Sequence, residues 1–417
     1  MECPSCGARF KTRGASRVGE VAVLDSVRCN CSKNLRDQPH SAPLVRASLD
    51  GLTYPDVQIE ADRQMYTASA LKKHNLVSTA SFFSKRNLAV LAALHEEIRA
   101  VPDETLREKL LFCFTAILTR ASKRYQWHPK RPLNASNQNY YIAPVFYEWN
   151  VYELFDRKAE SAVRSDEFIR MQMRDRGVDA ARGTYRTGSA DELDLPDASI
   201  DYVFTDPPFG SQLFYSDMSL FQEAWLGTTT DHAKEAVVDR TGAGGKKRSA
   251  ARYERLIVDA LKECNRVLKS DRWLSMVFSN ANGDMWLLVQ RAIHAAGFVL
   301  EHVTLLDKGQ RSVKGLTSGF ESVVTSDLIL TMRKATAADR LALKEAPPAA
   351  IDNALDDALS EGADTPTRVY LSIVTKYLRN EWKVSGITIA GIRRALASRG
   401  YDLDPASGAL LPMPEAA

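Results

Sequence analysis

No apolar run in the chain approaches the ~20 residues that span a bilayer, so a membrane-spanning helix is not expected. The opening residues, MECPSCGARF, lack the apolar stretch of a secretory signal. A cytoplasmic protein is therefore expected, in which paired cysteines suggest metal or catalysis before disulfides. Strong charge is missing too. The formal net charge is only +3 over 417 residues, so any case for nucleic acid must rest on local clusters. The seven histidines are scattered and suggest core or surface positions rather than a metal site. No internal repeat is present.

What the chain does have is uneven. Cys3, Cys6, Cys29 and Cys31 fall within the first 31 residues, and only Cys113 and Cys264 lie elsewhere. Cys-Pro-Ser-Cys-Gly reads as a zinc knuckle, two thiolates on a tight turn with Gly7 relieving the backbone. The second pair, Cys29-Asn30-Cys31, is one residue shorter than the usual spacing. Four cysteines satisfy tetrahedral closure, so a structural zinc ion is expected; the bland alternative is four reduced or vestigial thiols. A zinc-ribbon-like module is assigned to 1–45. A helical region follows over 46–180, where FFSKRNLAVLAALHEEI (82–98) places Leu88, Leu91, His95 and Ile98 at helical spacing. LREKLLFCFTAILTRASKRY (106–125) and the run from 149 to 173 read as further helices, with a proline-bounded loop at 131–144.

From about residue 184 strands and helices alternate, which predicts an α/β layer with a largely parallel sheet over 181–335. TYRTGSA and SIDYVFTD read as strands, followed by helix 253–269, strand 273–280, helix 285–298, strand 299–307 and strand 326–334. An Ala-, Asp- and Glu-rich linker, helical or flexible, is expected at 336–365 and a small helical or winged-helix unit at 366–417.

The informative string is GSADELDLPDASIDYVFTDPPFG (188–210). Ile200, Tyr202, Val203 and Phe204 make an apolar strand, and Asp206 follows its carboxyl end. Open α/β sheets bind ligands at that edge, so the carboxylate is expected to face a cleft. Pro207 and Pro208 fix φ and forbid helix, which gives a stiff loop projecting Phe209. A carboxylate, a backbone carbonyl and a rigid ring suit a planar ligand carrying an amino group. Hydrogen bonds from both N–H groups, to Asp206 and to the Pro207 carbonyl, would draw an aniline-like nitrogen toward tetrahedral geometry and free its lone pair. The plain alternative is a strand-ending turn, since Asp and Pro are common there.

With its surroundings, this string resembles the class I S-adenosylmethionine-dependent DNA amino-methyltransferases, specifically the adenine-type DNA methylases that contain a zinc ribbon. VFTDPPF matches their catalytic loop, which implies catalytic roles for Asp206, Pro207, Pro208 and Phe209. GSADELDLPDAS matches the acidic stretch that contacts the cofactor adenosine, which implies Ser189 and Asp191. ECNRVLKSDRWLSMVFSN, WLLVQRAIHAAGFVLEHV and SDLILTMRK resemble the following helices and strands. The likeness covers roughly residues 1 to 335. It implies a Rossmann-like class I methyltransferase sheet, S-adenosyl-L-methionine and structural zinc as cofactors, and methylation of an exocyclic base amine in DNA. N6 of adenine is favoured and N4 of cytosine allowed, with a place in restriction–modification or phage defence.

One departure stands out. The family grips the methionine end of its cofactor with a D-P-F-x-G-x-G loop, and no such loop occurs here. VVDRTGAGGKKRS (237–249) is the nearest imitation, but Lys246, Lys247 and Arg248 follow where packing residues belong; it is expected to be a basic loop. The sheet is therefore expected to be incomplete, as in a split or truncated enzyme whose partner chain supplies the glycine loop. Two other readings stay open: methylation of a guanine amine in RNA, and a catalytically silent zinc-ribbon subunit that binds nucleic acid. A covalent cysteine mechanism is not expected, because no Pro-Cys dipeptide occurs. Arg124, His128, Lys130 and Arg131, with Tyr125 and Trp127 between them, are candidates for strand contacts by phosphate and stacking. Lys308, Arg311 and Lys314, and Arg393, Arg394 and Arg399 in the tail, are two further basic candidates.

Overall fold

The computed structural model describes residues 20–27, 36–41, 47–69, 71–127, 140–143, 145–178, 183–211, 213–239, 249–306, 326–339, 341–404 and 408–413. The chain divides into two compact units, one of 1–183, 214–235 and 240–244, the other of 184–213, 236–239 and 245–417. No described helix is long and apolar enough to cross a membrane.

The first unit is helical apart from the short antiparallel pair β1 (Leu24–Val27) and β2 (Arg36–Pro39). After α1 (Gln64–Ala68) come α2 (Lys85–Arg99), α3 (Glu104–Ala121) and α4 (Val151–Asp175), close to the expected spans. Each of the three long helices starts where a polar side chain takes up a free backbone N–H: Ser84 from Asn87, Asp103 from Leu106, Asn150 from Glu153. Leu88, Leu91 and Ile98 are buried as their spacing requires, and His95 lies against Phe114 and Trp225. Trp225 belongs to α5 (Tyr215–Leu226), a helix the periodicity did not announce. Phe221 of that helix meets Phe82 and Tyr140 edge-to-face, with ring centroids at 5.1 and 5.4 Å. The same helix is tied down by Asp217, which receives Arg63 at 3.3 Å and the Met65 amide at 3.0 Å.

The second unit is built on a four-stranded sheet of order β3-β4-β6-β5, from β3 (Ile200–Thr205), β4 (Leu268–Phe278), β5 (Phe298–Leu306) and β6 (Asp327–Lys334). β3 pairs parallel with β4, while β6 runs antiparallel to both β4 and β5. Three strands thus share a direction, as the alternation predicts, but the sheet is mixed rather than largely parallel in its pairings. β6 pairs antiparallel with both neighbours, and residues 307–325, which join β5 to β6, lie outside the described residues. TYRTGSA, expected as a strand, is irregular and exposed.

Leu274, Met276 and Phe278 of β4 and Leu328, Leu330 and Met332 of β6 alternate onto one buried face. Against them lie Tyr253, Ile257 and Leu261 of α6 (Ala250–Val267) and Trp286, Val289 and Ile293 of α7 (Gly283–Ala295). The segment expected as a linker contains α8 (Ala350–Ser360), whose Ala354, Leu355 and Ala358 join this same cluster. α9 (Pro366–Arg379), α10 (Ile389–Ser398) and the hairpin β7 (Tyr401–Leu403) with β8 (Leu410–Pro412) complete the unit. Helices followed by a hairpin suit the winged-helix expectation, yet their buried residues belong to the core under the sheet. The junction is tight. The Gly283 amide donates to the Ile387 carbonyl at 2.8 Å, and a Cβ on Gly283 would lie 2.2 Å from the Val384 carbonyl oxygen.

Candidate active site

β3 forms because IDYVFT is a run of β-branched and aromatic residues, and its register with β4 ends at Thr205 opposite Met276. Asp206 is the next residue. It is exposed beyond the carboxyl end of the strand. Pro207, Pro208 and Phe209 are half-buried, and Gly210 turns the chain at a φ of 89°, where a side chain would be strained.

The carbonyls of this corner are unevenly used. Pro208's accepts the Tyr253 hydroxyl from α6. Phe209's accepts the side-chain amide of Asn280 at 2.8 Å, and Gly210's accepts the Val238 amide at 3.3 Å. Three successive carbonyls are anchored, and no hydrogen bond among the described residues reaches that of Pro207. The Phe209 ring meets Phe278 edge-to-face at 5.2 Å, and Phe278 meets Trp286 at 4.9 Å. The ring is backed by core and half open on its other side. Two clefts among the described residues lie elsewhere. One of about 450 Å³ is lined by Tyr66, Leu71 and Lys72, and a shallower one of about 300 Å³ by Leu305, Arg368 and Leu371.

No protein-family model and no curated protein matches the chain. Among solved structures the chain is similar to TTHA0409 of Thermus thermophilus, described as a candidate DNA modification methylase. Its complex with S-adenosyl-L-methionine aligns at 15% identity and a TM-score of 0.23, over 40% of this chain and 59% of that one. Its selenomethionine form aligns at 14% and 0.22, over 40% and 61%. The chain thus spans about three fifths of the structures it matches. Likeness at these scores carries no weight for fold or activity, and both rest on this chain's own residues.

Ser189 and Asp191 are exposed and hydrogen-bond each other, and no described contact joins either to residues 206–210. The stretch after them is held instead by α6: Arg266 donates to the Leu193 and Leu195 carbonyls at 3.0 and 2.8 Å, and Glu263 receives the Leu193 amide. The glycine cluster 240–248 lies outside the described residues, as do Cys3, Cys6, Cys29 and Cys31, so the zinc assignment does too.

Of the basic candidates, Arg124 is buried in the first unit with its guanidinium 4.1 Å from the Phe221 ring centre, so it is not available to phosphates. His128, Lys130, Arg131, Lys308, Arg311 and Lys314 lie outside the described residues. Arg399 is engaged with Asp352 and Asp356 of α8, a structural tie between helices. Cys113 is buried and burial pushes its thiol up, and burial pushes the Cys264 thiol up to about 11, so neither of these two described cysteines is a thiolate at neutral pH. Tyr253, Asn280 and Val238 were not anticipated at the site. Asn280 ends the strand run WLSMVFSN, and a polar residue placed just after a buried strand was the available signal.

Proposed function

We propose that this chain carries the target-amine side of an S-adenosyl-L-methionine-dependent DNA methyltransferase, with N6 of adenine favoured over N4 of cytosine. The observation that carries the reading is the Pro207 carbonyl, unbonded among the described residues, between an exposed carboxylate and a half-open aromatic ring. A base turned out of its stack, for a few kcal/mol of unstacking, would lay its ring on Phe209. Its amine would donate one N–H to Asp206 and the other to the Pro207 carbonyl. Both bonds favour a tetrahedral nitrogen, and the carboxylate also offsets positive charge growing there. The methyl donor supplies an electrophilic carbon. The chemistry assigned to this chain stops at the amine.

The cofactor side is then completed by a partner chain bearing the glycine loop, and the four N-terminal cysteines hold a structural zinc. Both parts are measurable on the purified chain. Tight S-adenosyl-L-methionine binding without any partner contradicts the first, and metal analysis finding no zinc contradicts the second. Methyl transfer is tested with protein purified from its own host, on unmodified DNA and on RNA. Label is expected in DNA, and Asp206→Ala should lower it by at least about 100-fold, the scale of losing a group that acts on the transition state. Full activity of D206A sinks the mechanism, and label confined to RNA moves the substrate to the guanine-amine reading.

A further inference from the structure

Asn280 touches the corner without being part of it, and every polar atom it has beyond its backbone N–H is engaged. Its side-chain N–H donates to the Phe209 carbonyl at 2.8 Å, and its side-chain oxygen accepts the Asn282 amide at 2.9 Å. The two contacts together fix which way the amide faces. Its backbone carbonyl accepts two donors, the Trp286 indole N–H at 2.9 Å and the Tyr370 hydroxyl at 3.0 Å. Asn280, Trp286 and Tyr370 are all buried, the last two completely. A buried polar group whose hydrogen bonds are all made is held in one geometry, because any other orientation leaves a donor or acceptor unpaired in a low-dielectric interior. Tyr370 belongs to α9, 90 residues further along the chain.

We propose that Asn280 is a positioning residue for amine methylation, and that Tyr370 of the C-terminal helices locks it through its backbone carbonyl. This rests on the reading of residues 206–209 as the amine-gripping corner. By pinning the Phe209 carbonyl, Asn280 keeps that peptide plane turned inward, so the Pro207 carbonyl two residues earlier stays presented outward. It also leaves the ring of Phe209 set against Phe278. The C-terminal segment is therefore part of the catalytic apparatus rather than an appended binding module. Its removal acts on turnover through the chain Tyr370, Asn280, Phe209.

Asn280→Asp keeps the size and replaces the donor with an acceptor facing a carbonyl. Tyr370→Phe keeps the packed ring and deletes only the hydroxyl, which guards against a variant that simply misfolds. Two readouts are compared on protein purified from its host. Hydrogen exchange of the Val238 amide, which donates to the Gly210 carbonyl of the corner, should quicken in both variants while α6 stays protected. In steady-state methylation, kcat should fall by ~10–100-fold in N280D and by less in Y370F, the scale of a misplaced reacting group, with KM for DNA within about twofold. Unchanged exchange at Val238 overturns the proposal whatever the activity. Quickened exchange with undiminished kcat overturns it too, since the corner's geometry then does not limit the reaction. If exchange quickens but the parent protein methylates nothing, the positioning of the corner stands and the amine reading fails.

Discussion

Arg124 sits in the interior of the first unit with no carboxylate hydrogen-bonded to it among the described residues. Its Nε reaches the Ser122 hydroxyl at 3.4 Å, while one terminal nitrogen has no hydrogen-bond partner there. Burial lowers its pKa from the ordinary guanidinium value to about 10. For a base, a folded value below the unfolded one means that the charge opposes folding. The penalty is fully present below about pH 10 and fades as pH rises from there towards the unfolded value. The Phe221 ring returns part of it, up to ~2 kcal/mol for a desolvated cation–π pair. Arg124→Met should therefore be neutral or stabilising by up to ~3 kcal/mol at pH 7, with the gain shrinking above pH 10. Denaturant unfolding of the two proteins decides it; a loss of more than about 1 kcal/mol means that the guanidinium has a partner that stabilises it. At the candidate site the residue types were legible and their neighbours were not. Asp206, Pro207 and Phe209 could be named because the proline pair dictates a stiff corner from sequence alone. Tyr253 and Asn280 reach it only through tertiary packing, 45 and 71 residues away from the carbonyls they hold.

Among elements, those with strong periodicity and clear caps were readable. α2, α3, α4, α6 and α7 fall within a few residues of their expected spans, because apolar spacing and polar capping residues agree there. α5 was missed because its one buried stripe mixes Ser216 and Asp217 with Leu220, Phe221, Ala224 and Trp225, while the apolar Tyr215 and Leu226 are exposed, which blurs the periodicity. α8 was read as linker because Ala and Asp dominate it, although its alanines turn out to be its buried face. The direction of β6 was out of reach for another reason. Burial on a strand gives the same alternation whichever way the strand runs, so pattern alone cannot orient it. β3 shows the limit of apolarity as a guide: Tyr202 is 53% and Phe204 61% exposed, so an aromatic-rich strand is here an exposed edge rather than a core element.

For the whole molecule, the central claim is that the proline corner at the end of β3 holds an everted base by its amino group. Chain-wide charge is nearly neutral, so affinity for DNA has to come from local contacts or from what the chain assembles with. Methylation assays report the outcome of the reaction and not where the base sat. The direct measurement is a structure of the host-purified protein bound to DNA in the presence of a non-reactive cofactor analogue. The account predicts one base out of the helix, its ring on Phe209, and its amine nitrogen about 3 Å from both the Asp206 carboxylate and the Pro207 carbonyl. A base everted onto other residues, with the Pro207 carbonyl facing only solvent, would contradict it.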